Sequence, residues 1–278
     1  MIEVTKQMID IDRLLSSKLG ERASYVPRFL VKWLKNLIHQ DEINEFLWEA
    51  KDEVGTPWLK HGLRYLGNDI VVKGRENLPD ANDGKRYTFV SNHPLGGIDG
   101  IAIGSVLGEK YDDKFKYLVN DLLMNLPGLA PLCIPVNIAG KNQSRKLPGM
   151  VEELFASENH VLMFPAALCS RKIGGEIHDL PWKKSFITKS IQTQRDVVPI
   201  YFEGRNSEKF YRIANICKWL HLKVNVAMLY LVDEMFRNKN KTFTMTIGKP
   251  IPWQTFDKTR SHKEWATWVE NQVYLMRR

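Results

Sequence analysis

The stretch VSNHPLGGIDG, residues 90–100, combines a histidine, two adjacent glycines and an aspartate. His93 directly follows the run YTFVSN, which predicts a strand that holds it rigidly. Gly96 and Gly97 allow the backbone to turn sharply. Asp99 can then fold back and accept a hydrogen bond from one ring nitrogen of His93, which leaves the other nitrogen to take a proton as a general base. The alternative interpretation is a histidine that only caps or fills the turn.

The rest of the sequence narrows what such a base could act on. A serine nucleophile of the hydrolase type would lie in a G-x-S-x-G turn, and the sequence contains none. The other histidines are isolated from one another, and no His/Cys cluster has the spacing of a metal site. A base without a protein nucleophile activates a hydroxyl or an amine of a substrate. We therefore expect group transfer or hydrolysis through His93.

Two further polar segments follow strand-like runs later in the chain. In FPAALCSRKIGG, the loop predicted for CSRKIGG carries Ser170, Arg171 and Lys172, whose donors could bind a carboxylate or a phosphate. The alternative is a solvated basic loop. Arg205 follows the run VVPIYFEG, and it could contact a substrate or belong to a structural turn only.

The pattern of apolar residues predicts how these segments are positioned. Residues 1–67 have a helical spacing of apolar side chains, whereas short apolar runs alternate with helical patterns over residues 68–278. We predict an N-terminal helical region followed by an α/β domain with a largely parallel central sheet flanked by helices. Loops at the carboxyl ends of such strands bind ligands, so the segments of His93, Arg171 and Arg205 should meet there.

Helix boundaries are also marked in the N-terminal region. In TPWLKHGLRYLG, Thr56 is predicted to be an N-cap, Pro57 a first-turn residue and Gly67 the C-terminal stop. These signals predict a helix of about three turns immediately before the α/β domain.

The composition is that of an ordinary globular protein, with 278 residues of which 44% are hydrophobic and 26% charged. A net charge of +8 suits an anionic membrane surface, acidic or phosphorylated substrates, or nucleic acid. No zinc-finger spacing, aromatic RNA-binding signature or Arg-crowded helix accompanies the charge, so we expect no nucleic-acid partner. Three scattered cysteines indicate a reducing, cytoplasmic setting.

The hydropathy pattern predicts neither a signal peptide nor a membrane-spanning helix. Acidic residues interrupt the first apolar run, and no stretch of about 18 apolar residues occurs. The segment Arg28–Ile38 predicts a basic amphipathic helix with a tryptophan, which can lie in a membrane interface. Packing of this helix on the domain is the alternative. The expected location is cytoplasmic, peripheral on the inner face of the cell membrane, with an anionic membrane surface as a partner.

Taken together, these motifs resemble those of the glycerolipid acyltransferase superfamily, which includes the lysophosphatidic-acid acyltransferases. NHPLGGID resembles the NH-x4-D box, FPAALCSRK the FPEGTRS box, and VVPIYFEG the proline-containing fourth block. PLCIPVNIAGKNQS occupies the place of the second block, and the order and spacing agree over residues 69–204. NHPLGGIDG, YFEGRNS and VKGRENLP are most similar to the bacterial aminolipid branch, which O-acylates N-acylated amino acids such as ornithine or glycine.

The resemblance implies that His93 is the catalytic base and Asp99 the carboxylate that orients it. Five residues separate the two where the family has four, and the intervening glycines could absorb the extra one. The resemblance also implies an acyl-CoA or acyl carrier protein thioester as donor, a lipid acceptor, and no metal or redox cofactor. From the motifs and the resemblance together, the residues expected to bind substrates are Asn92, Gly96, Gly97, Asn137, Ala166, Ser170, Arg171, Lys172 and Arg205.

Two other departures from the family pattern concern the acceptor. Ala166 replaces the glutamate of the FPEGTRS box and Leu168 its threonine, which favours a lipophilic acceptor. The second block has Asn137 near the place of its usual arginine, so a phosphate would lose its bidentate partner. Arg171 and Lys172 suit a single carboxylate. The predicted acceptor is an N-acyl (3-hydroxyacyl) amino acid in aminolipid synthesis. The alternatives are 1-acylglycerol-3-phosphate or glycerol-3-phosphate in phospholipid synthesis, or a non-catalytic lipid-binding module.

Overall fold

A computed structural model describes residues 9–119, 121–135, 147–220 and 226–277. The strands in this part of the chain are β1 (Asp69–Lys73), β2 (Tyr87–Ser91), β3 (Phe115–Val119), β4 (Cys133–Pro135), β5 (His160–Met163), β6 (Arg171–Ile173), β7 (Glu176–His178), β8 (Asp196–Phe202) and β9 (Thr242–Ile247). The main sheet has the order β1-β9-β8-β2-β5-β3-β4, and β6 and β7 form a separate hairpin.

The α-helices of the described residues surround this sheet and precede it. They are α1 (Ile11–Leu19), α2 (Arg28–Leu37), α3 (Gln40–Glu49), α4 (Thr56–Tyr65), α5 (Ile98–Tyr111), α6 (Leu147–Ala156), α7 (Ser185–Thr193), α8 (Glu208–Trp219), α9 (Val226–Arg237) and α10 (His262–Leu275). Helix α4 packs against α5, α10 against α7 and β8, and α8 against α9 and β6.

The direction of the strands confirms the predicted fold class. Strand β2 pairs in parallel with both β5 and β8, and β3 pairs in parallel with β5 and β4. Strand β9 is antiparallel to β8 and parallel to β1, so these two strands run against the other five. The chain therefore has an α/β fold with a largely parallel central sheet.

The apolar runs of the central strands follow from burial on both faces of the sheet. Phe89 of β2 belongs to the core on one face, and its neighbour Val90 belongs to the core on the other. Successive side chains of a strand point to opposite faces, so a strand covered on both sides is apolar throughout. Because β8, β2 and β5 are adjacent and parallel, the segments that follow them leave the sheet at one edge.

Two local predictions are wrong. Thr56 is not an N-cap, because α4 already includes it; Asp113 takes the capping role, accepting from the Thr56 N–H at 3.1 and 3.2 Å and from its hydroxyl at 2.5 Å. The segment CSRKIGG is not a loop, because Arg171 and Lys172 lie in β6. Gly174 and Gly175, both with positive φ, form the two-residue turn between β6 and β7.

The N-terminal helices leave several large apolar side chains in solvent. On α2, Phe29 is 71% exposed and Trp33 47% exposed. The Trp33 ring also meets Tyr230 of α9 edge to face, with the ring centroids 6.4 Å apart. In the described residues, we find no helix with both the length and the hydrophobicity to cross a bilayer. The division of the chain at residue 67 and the membrane contact of the first part remain predictions.

A buried guanidinium joins the end of α6 to the start of β8. Arg195 is fully buried, and it donates hydrogen bonds to the carbonyl oxygens of Phe155, Ser157 and Asn159 at 2.7 to 3.2 Å. Phe155 lies in the last turn of α6, where carbonyls have no intrahelical partners, and Ser157 and Asn159 follow the helix. Burial lowers the pKa of Arg195 to about 10, and the group remains a cation at neutral pH.

Candidate active site

The backbone of His93 is held on both sides immediately after β2. Its N–H donates to the Asp179 carboxylate at 3.2 and 3.3 Å, and its carbonyl accepts from the Ser170 N–H at 2.8 Å. The next carbonyl, that of Pro94, accepts from the side-chain amide of Asn206 at 3.2 Å. Segments that follow β5, β7 and β8 therefore meet around the histidine.

Asp99, in the first turn of α5, fixes the ring of His93. Its Oδ2 lies 3.0 Å from Nδ1 of His93 and also accepts from the N–H groups of Leu95 and Gly96. Its Oδ1 accepts from the Gly100 N–H at 2.9 Å. Nδ1 is thereby the donor, and Nε2 is the nitrogen that can accept a proton. No described residue forms a hydrogen bond to Nε2, and the His93 side chain is 17% exposed.

The two glycines of the turn, Gly96 and Gly97, are under different structural constraints. Gly96 has φ of +80°, and a Cβ there would lie 2.9 Å from Leu231 Cδ1 on α9. Gly97 has φ of −150°, and a Cβ there would make an ordinary contact with Met235 Sδ at 3.5 Å. The positive φ and the close approach therefore favour glycine at position 96, whereas position 97 has neither feature.

The electrostatics favour a charged His93–Asp99 pair. Burial alone would lower the pKa of His93, but the charge and hydrogen bond of Asp99, together with the charge of Asp179, raise it above its usual value. Burial opposes the charged form of Asp99 as well. The interaction with His93 and the N–H groups of Leu95 and Gly100 nevertheless lower the pKa of Asp99. An imidazolium formed at His93 is thus stabilised by its surroundings.

Phe164 completes the surroundings of the ring, and sequence reasoning assigned it no role. It follows β5 and stacks on His93, with the ring centroids 4.2 Å apart and the planes inclined by 28°. The available signal was its place as the first residue of FPAALCSRK, directly after a strand next to β2. The stacking and the Asp99 hydrogen bond together restrict the orientation of the imidazole.

The predicted basic residues have different partners. Lys172 Nζ lies 2.8 Å from both carboxylate oxygens of Glu208, and Arg205 pairs with the same carboxylate at 3.2 Å. Arg171 donates from Nη1 to the carbonyl oxygens of Cys169 and Ser170. No carboxylate among the described residues forms an ion pair with Arg171, and its charge opposes protonation of the nearby His93.

The other predicted site residues lie around the same edge or outside the described residues. Both polar atoms of the Asn92 side chain bond the backbone of Phe202, which ties β2 to β8. The Ser170 hydroxyl donates to Asp179 at 2.6 Å. Ala166 is buried in the core, and Asn137 lies outside the described residues. Contact of these residues with a substrate stays a prediction.

In the part of the chain that the structure describes, neither a reactive thiol nor a metal cluster accompanies the base. Burial raises the pKa of the Cys169 thiol to about 11, which leaves it protonated at neutral pH. Within the ranges that the structure describes, no group of three or more His, Cys, Asp or Glu side chains is arranged to hold a metal ion.

A family model described as acyltransferase matches residues 13–278. The chain belongs to the acyltransferase family. Two relatives of this acyltransferase are named lyso-glycine lipid O-acyltransferase. The one from Phocaeicola vulgatus is 59% identical over 269 residues, which cover 97% of this chain and 95% of the relative. The one from Bacteroides thetaiotaomicron is 57% identical over 269 residues, which cover 97% of each chain.

A solved structure shares the fold of this acyltransferase at low sequence identity. The 1-acyl-sn-glycerophosphate (LPA) acyltransferase PlsC from Thermotoga maritima matches with a TM-score of 0.51 and 18% identity. The match covers 94% of this chain and 92% of that one. The family model and the two relatives confirm the resemblance to the acyltransferase superfamily and the assignment as an acyltransferase enzyme, and the solved structure confirms the fold.

Proposed function

We propose that this acyltransferase moves a fatty acyl group from an acyl thioester to the hydroxyl of a 3-hydroxyacyl glycine. The relatives named lyso-glycine lipid O-acyltransferase support this acceptor, since they match nearly the whole chain at 59% and 57% identity. Acyl-CoA or an acyl carrier protein supplies the thioester, and the reaction uses no metal or redox cofactor.

The observation that carries the proposal is the geometry of His93. Asp99 occupies Nδ1, so Nε2 can accept the proton of the acceptor hydroxyl as its oxygen attacks the thioester carbonyl. The C–S bond then breaks, and the leaving thiolate takes the proton back from Nε2. Asp99 stabilises the imidazolium between these two steps. A base of this kind contributes about 10²- to 10⁴-fold to the rate.

Arg171 is the residue we propose for the carboxylate of the acceptor. Lys172 and Arg205 share Glu208, so their charge is partly neutralised within the protein. Arg171 has no such partner in the described residues, and it is close enough to influence His93 electrostatically. A guanidinium binds one carboxylate with two parallel hydrogen bonds, which would orient the hydroxyl end of the acceptor toward the base.

We further propose that the enzyme works at the surface of an anionic membrane. Apolar side chains of α2, Phe29 and Trp33, are exposed beside basic residues of the same helix. Trp33 contacts Tyr230 on α9, and the following residue, Leu231, lies against the Gly96 turn. A bilayer that meets α2 would therefore lie close to the catalytic turn, and a lipid acceptor would have a short path to His93.

A comparison of acceptors tests the proposed function. The purified protein is assayed with acyl-CoA and, separately, with an acyl carrier protein thioester. The acceptors are 3-hydroxyacyl glycine, its ornithine counterpart, lysophosphatidic acid and glycerol 3-phosphate. We expect the highest kcat/KM with 3-hydroxyacyl glycine. Preference for a phosphorylated acceptor would contradict the acceptor assignment but not acyl transfer, and absence of transfer to every acceptor would favour a lipid-binding module.

A further inference from the structure

Asp179 is a buried carboxylate that the proposed chemistry does not yet use. It directly follows β7, and its carboxylate accepts hydrogen bonds from two side chains and one backbone N–H. Trp182 Nε1 donates to Oδ2 at 3.0 Å, the Ser170 hydroxyl donates to Oδ1 at 2.6 Å, and the His93 N–H approaches both oxygens. Asp179 itself is almost fully buried.

These contacts form a closed ring of three residues. The His93 N–H donates to Asp179, Ser170 donates its hydroxyl to Asp179, and the Ser170 N–H donates back to the His93 carbonyl. The strand after Ser170 begins with Arg171. The ring therefore links the backbone of the base to the strand that carries the proposed carboxylate-binding residue, over a separation of 86 residues between His93 and Asp179.

The ring is also tied to the rest of the domain. The Asp179 N–H donates to the hydroxyl of Tyr274 on α10, at 2.9 Å, and His178 stacks on the ring of Tyr274. The Lys183 N–H donates to the Pro165 carbonyl, which joins the segment after Asp179 to the segment after β5. A carboxylate with this many fixed donors holds one geometry.

We propose that Asp179 is a positioning residue for acyl transfer, which fixes His93 relative to Arg171 and adds a second negative charge that stabilises the imidazolium. The inference rests on the proposed role of His93 as the base. Displacement of a catalytic group by about 1 Å can cost on the order of 100-fold in rate, so a tether at the backbone of the base affects kcat.

The charges around Asp179 set the sign of its electrostatic effect. Asp179 raises the pKa of His93, whereas Arg171 lowers it. Burial raises the pKa of Asp179 above its usual value, and the hydrogen bonds from Ser170 and Trp182 offset only part of that rise. Besides Arg171, the titratable groups around His93 and Asp179 are Asp99, Cys169, His178, Tyr201, Glu270 and Tyr274.

The test is Asp179→Asn, assayed with the acceptor that the wild-type protein prefers. The asparagine oxygen can accept from Trp182 and the His93 N–H, while its amide faces the Ser170 hydroxyl, which can rotate to accept. The variant therefore removes the charge and largely keeps the geometry. We expect kcat to fall about 10-fold, the KM of the acceptor to stay within about twofold, and the acid limb of kcat/KM to move to lower pH. Asp52→Asn, the same change on the exposed turn after α3, is the control.

Wild-type kcat in Asp179→Asn, or a loss of kcat with an unmoved acid limb, would overturn the inference. If Asp179→Asn does not fold, as judged by circular dichroism, Trp182→Phe decides the question. This variant removes one donor to the Asp179 carboxylate. We expect a smaller fall in kcat and a smaller shift of the acid limb to lower pH. Wild-type kcat with a wild-type acid limb would refute the inference. Failure of the wild-type protein to acylate 3-hydroxyacyl glycine would instead contradict the proposed acceptor, and Asp179 would be tested with whichever acceptor is used.

Discussion

Glu208 holds the ammonium group of Lys172 with both carboxylate oxygens, each 2.8 Å from Nζ. The sequence places Lys172 next to Arg171, and the two could have bound one acceptor carboxylate together. In the structure Lys172 is already paired with Glu208, so Arg171 is the better placed of the two to bind the acceptor carboxylate. Neighbouring positions of a strand point to opposite faces, so adjacency in sequence does not bring the two charged groups together.

The first prediction compares these two residues. We expect Arg171→Gln to raise the KM for 3-hydroxyacyl glycine about 10- to 100-fold, because hydrogen bonds to charged groups contribute about 1.5–3 kcal/mol. Lys172→Gln, the matched control, should change this KM by less than about threefold. The steady-state kinetics are measured at a pH well above the acid limb of the activity profile, because loss of Arg171 also alters the protonation of His93. Equal effects of the two variants would remove Arg171 from the proposed role.

The second prediction concerns the base itself. We expect His93→Ala to lower kcat/KM by about 10²- to 10⁴-fold or more, because Nε2 no longer accepts the proton. Asp99→Asn should cost less, since the ring keeps a neighbour but loses the charge that stabilises the imidazolium. His61→Ala, at a histidine of α4 that pairs with Glu53, is the control. Retention of near wild-type turnover by a folded His93→Ala variant is incompatible with the mechanism.

The pH dependence of activity gives a third prediction. His93 must be neutral to act as a base, and Asp99 and Asp179 raise its pKa above the usual histidine value against the opposing effect of burial. Activity should therefore fall as the pH drops, with a midpoint above the usual pKa of histidine. In Asp99→Asn the midpoint should move to lower pH, because the neutral amide no longer favours the protonated ring. A profile of kcat/KM from pH 5 to 9 decides; an acid limb unaffected by Asp99→Asn contradicts the pairing.

Membrane binding is tested by substitution on α2. We expect the double variant Phe29→Ser, Trp33→Ser to lose most of its flotation with anionic liposomes, because both exposed rings would otherwise enter the interface. Leu275→Ser is the matched control, since Leu275 is 70% exposed but lies on α10. Higher salt should weaken binding of the wild-type protein, as each basic residue near the surface contributes about 1 kcal/mol that salt screens. Equal flotation of all three proteins in both salts would exclude this surface.

The last prediction concerns stability. We expect Arg195→Lys to lower the free energy of unfolding by at least about 2 kcal/mol, because an ammonium group cannot replace the buried, fixed fork that donates to three carbonyl groups. Arg13→Lys, at a well-exposed arginine on α1, should change it by less than about 0.5 kcal/mol. Urea denaturation measures both. If the urea midpoint of Arg195→Lys equals that of the wild-type protein, the carbonyl groups form other hydrogen bonds in the variant.

The sequence predicts the central strands β8, β2 and β5 well because they are short and apolar on both faces. The contact between His93 and Asp99 is also predictable from the sequence, because the two residues are only six positions apart and two glycines lie between them. Local chemistry determines that contact. Local chemistry also determines the Gly174–Gly175 turn, because two adjacent glycines are typical of a two-residue hairpin turn.

Contacts between distant segments account for what could not be predicted. Asp179 lies 86 positions from His93, and nothing in HDLPW distinguishes a carboxylate that binds a backbone N–H from one in solvent. Thr56 has the residue type of an N-cap, but its own N–H and hydroxyl donate to Asp113, which lies two residues after the end of α5. Such pairings depend on the arrangement of strands and helices, which a local pattern does not contain.

The catalytic turn also shows how differently two nearby glycines constrain sequence divergence. At position 96 a side chain would meet Leu231 and would require an unfavourable backbone conformation, so divergence there needs compensating changes in both α9 and the turn. At Gly100, inside α5, a Cβ would have no atom within 4 Å, and alanine would fit a helix better than glycine does. A single substitution is therefore tolerated at position 100, whereas any side chain at position 96 imposes an unfavourable backbone conformation.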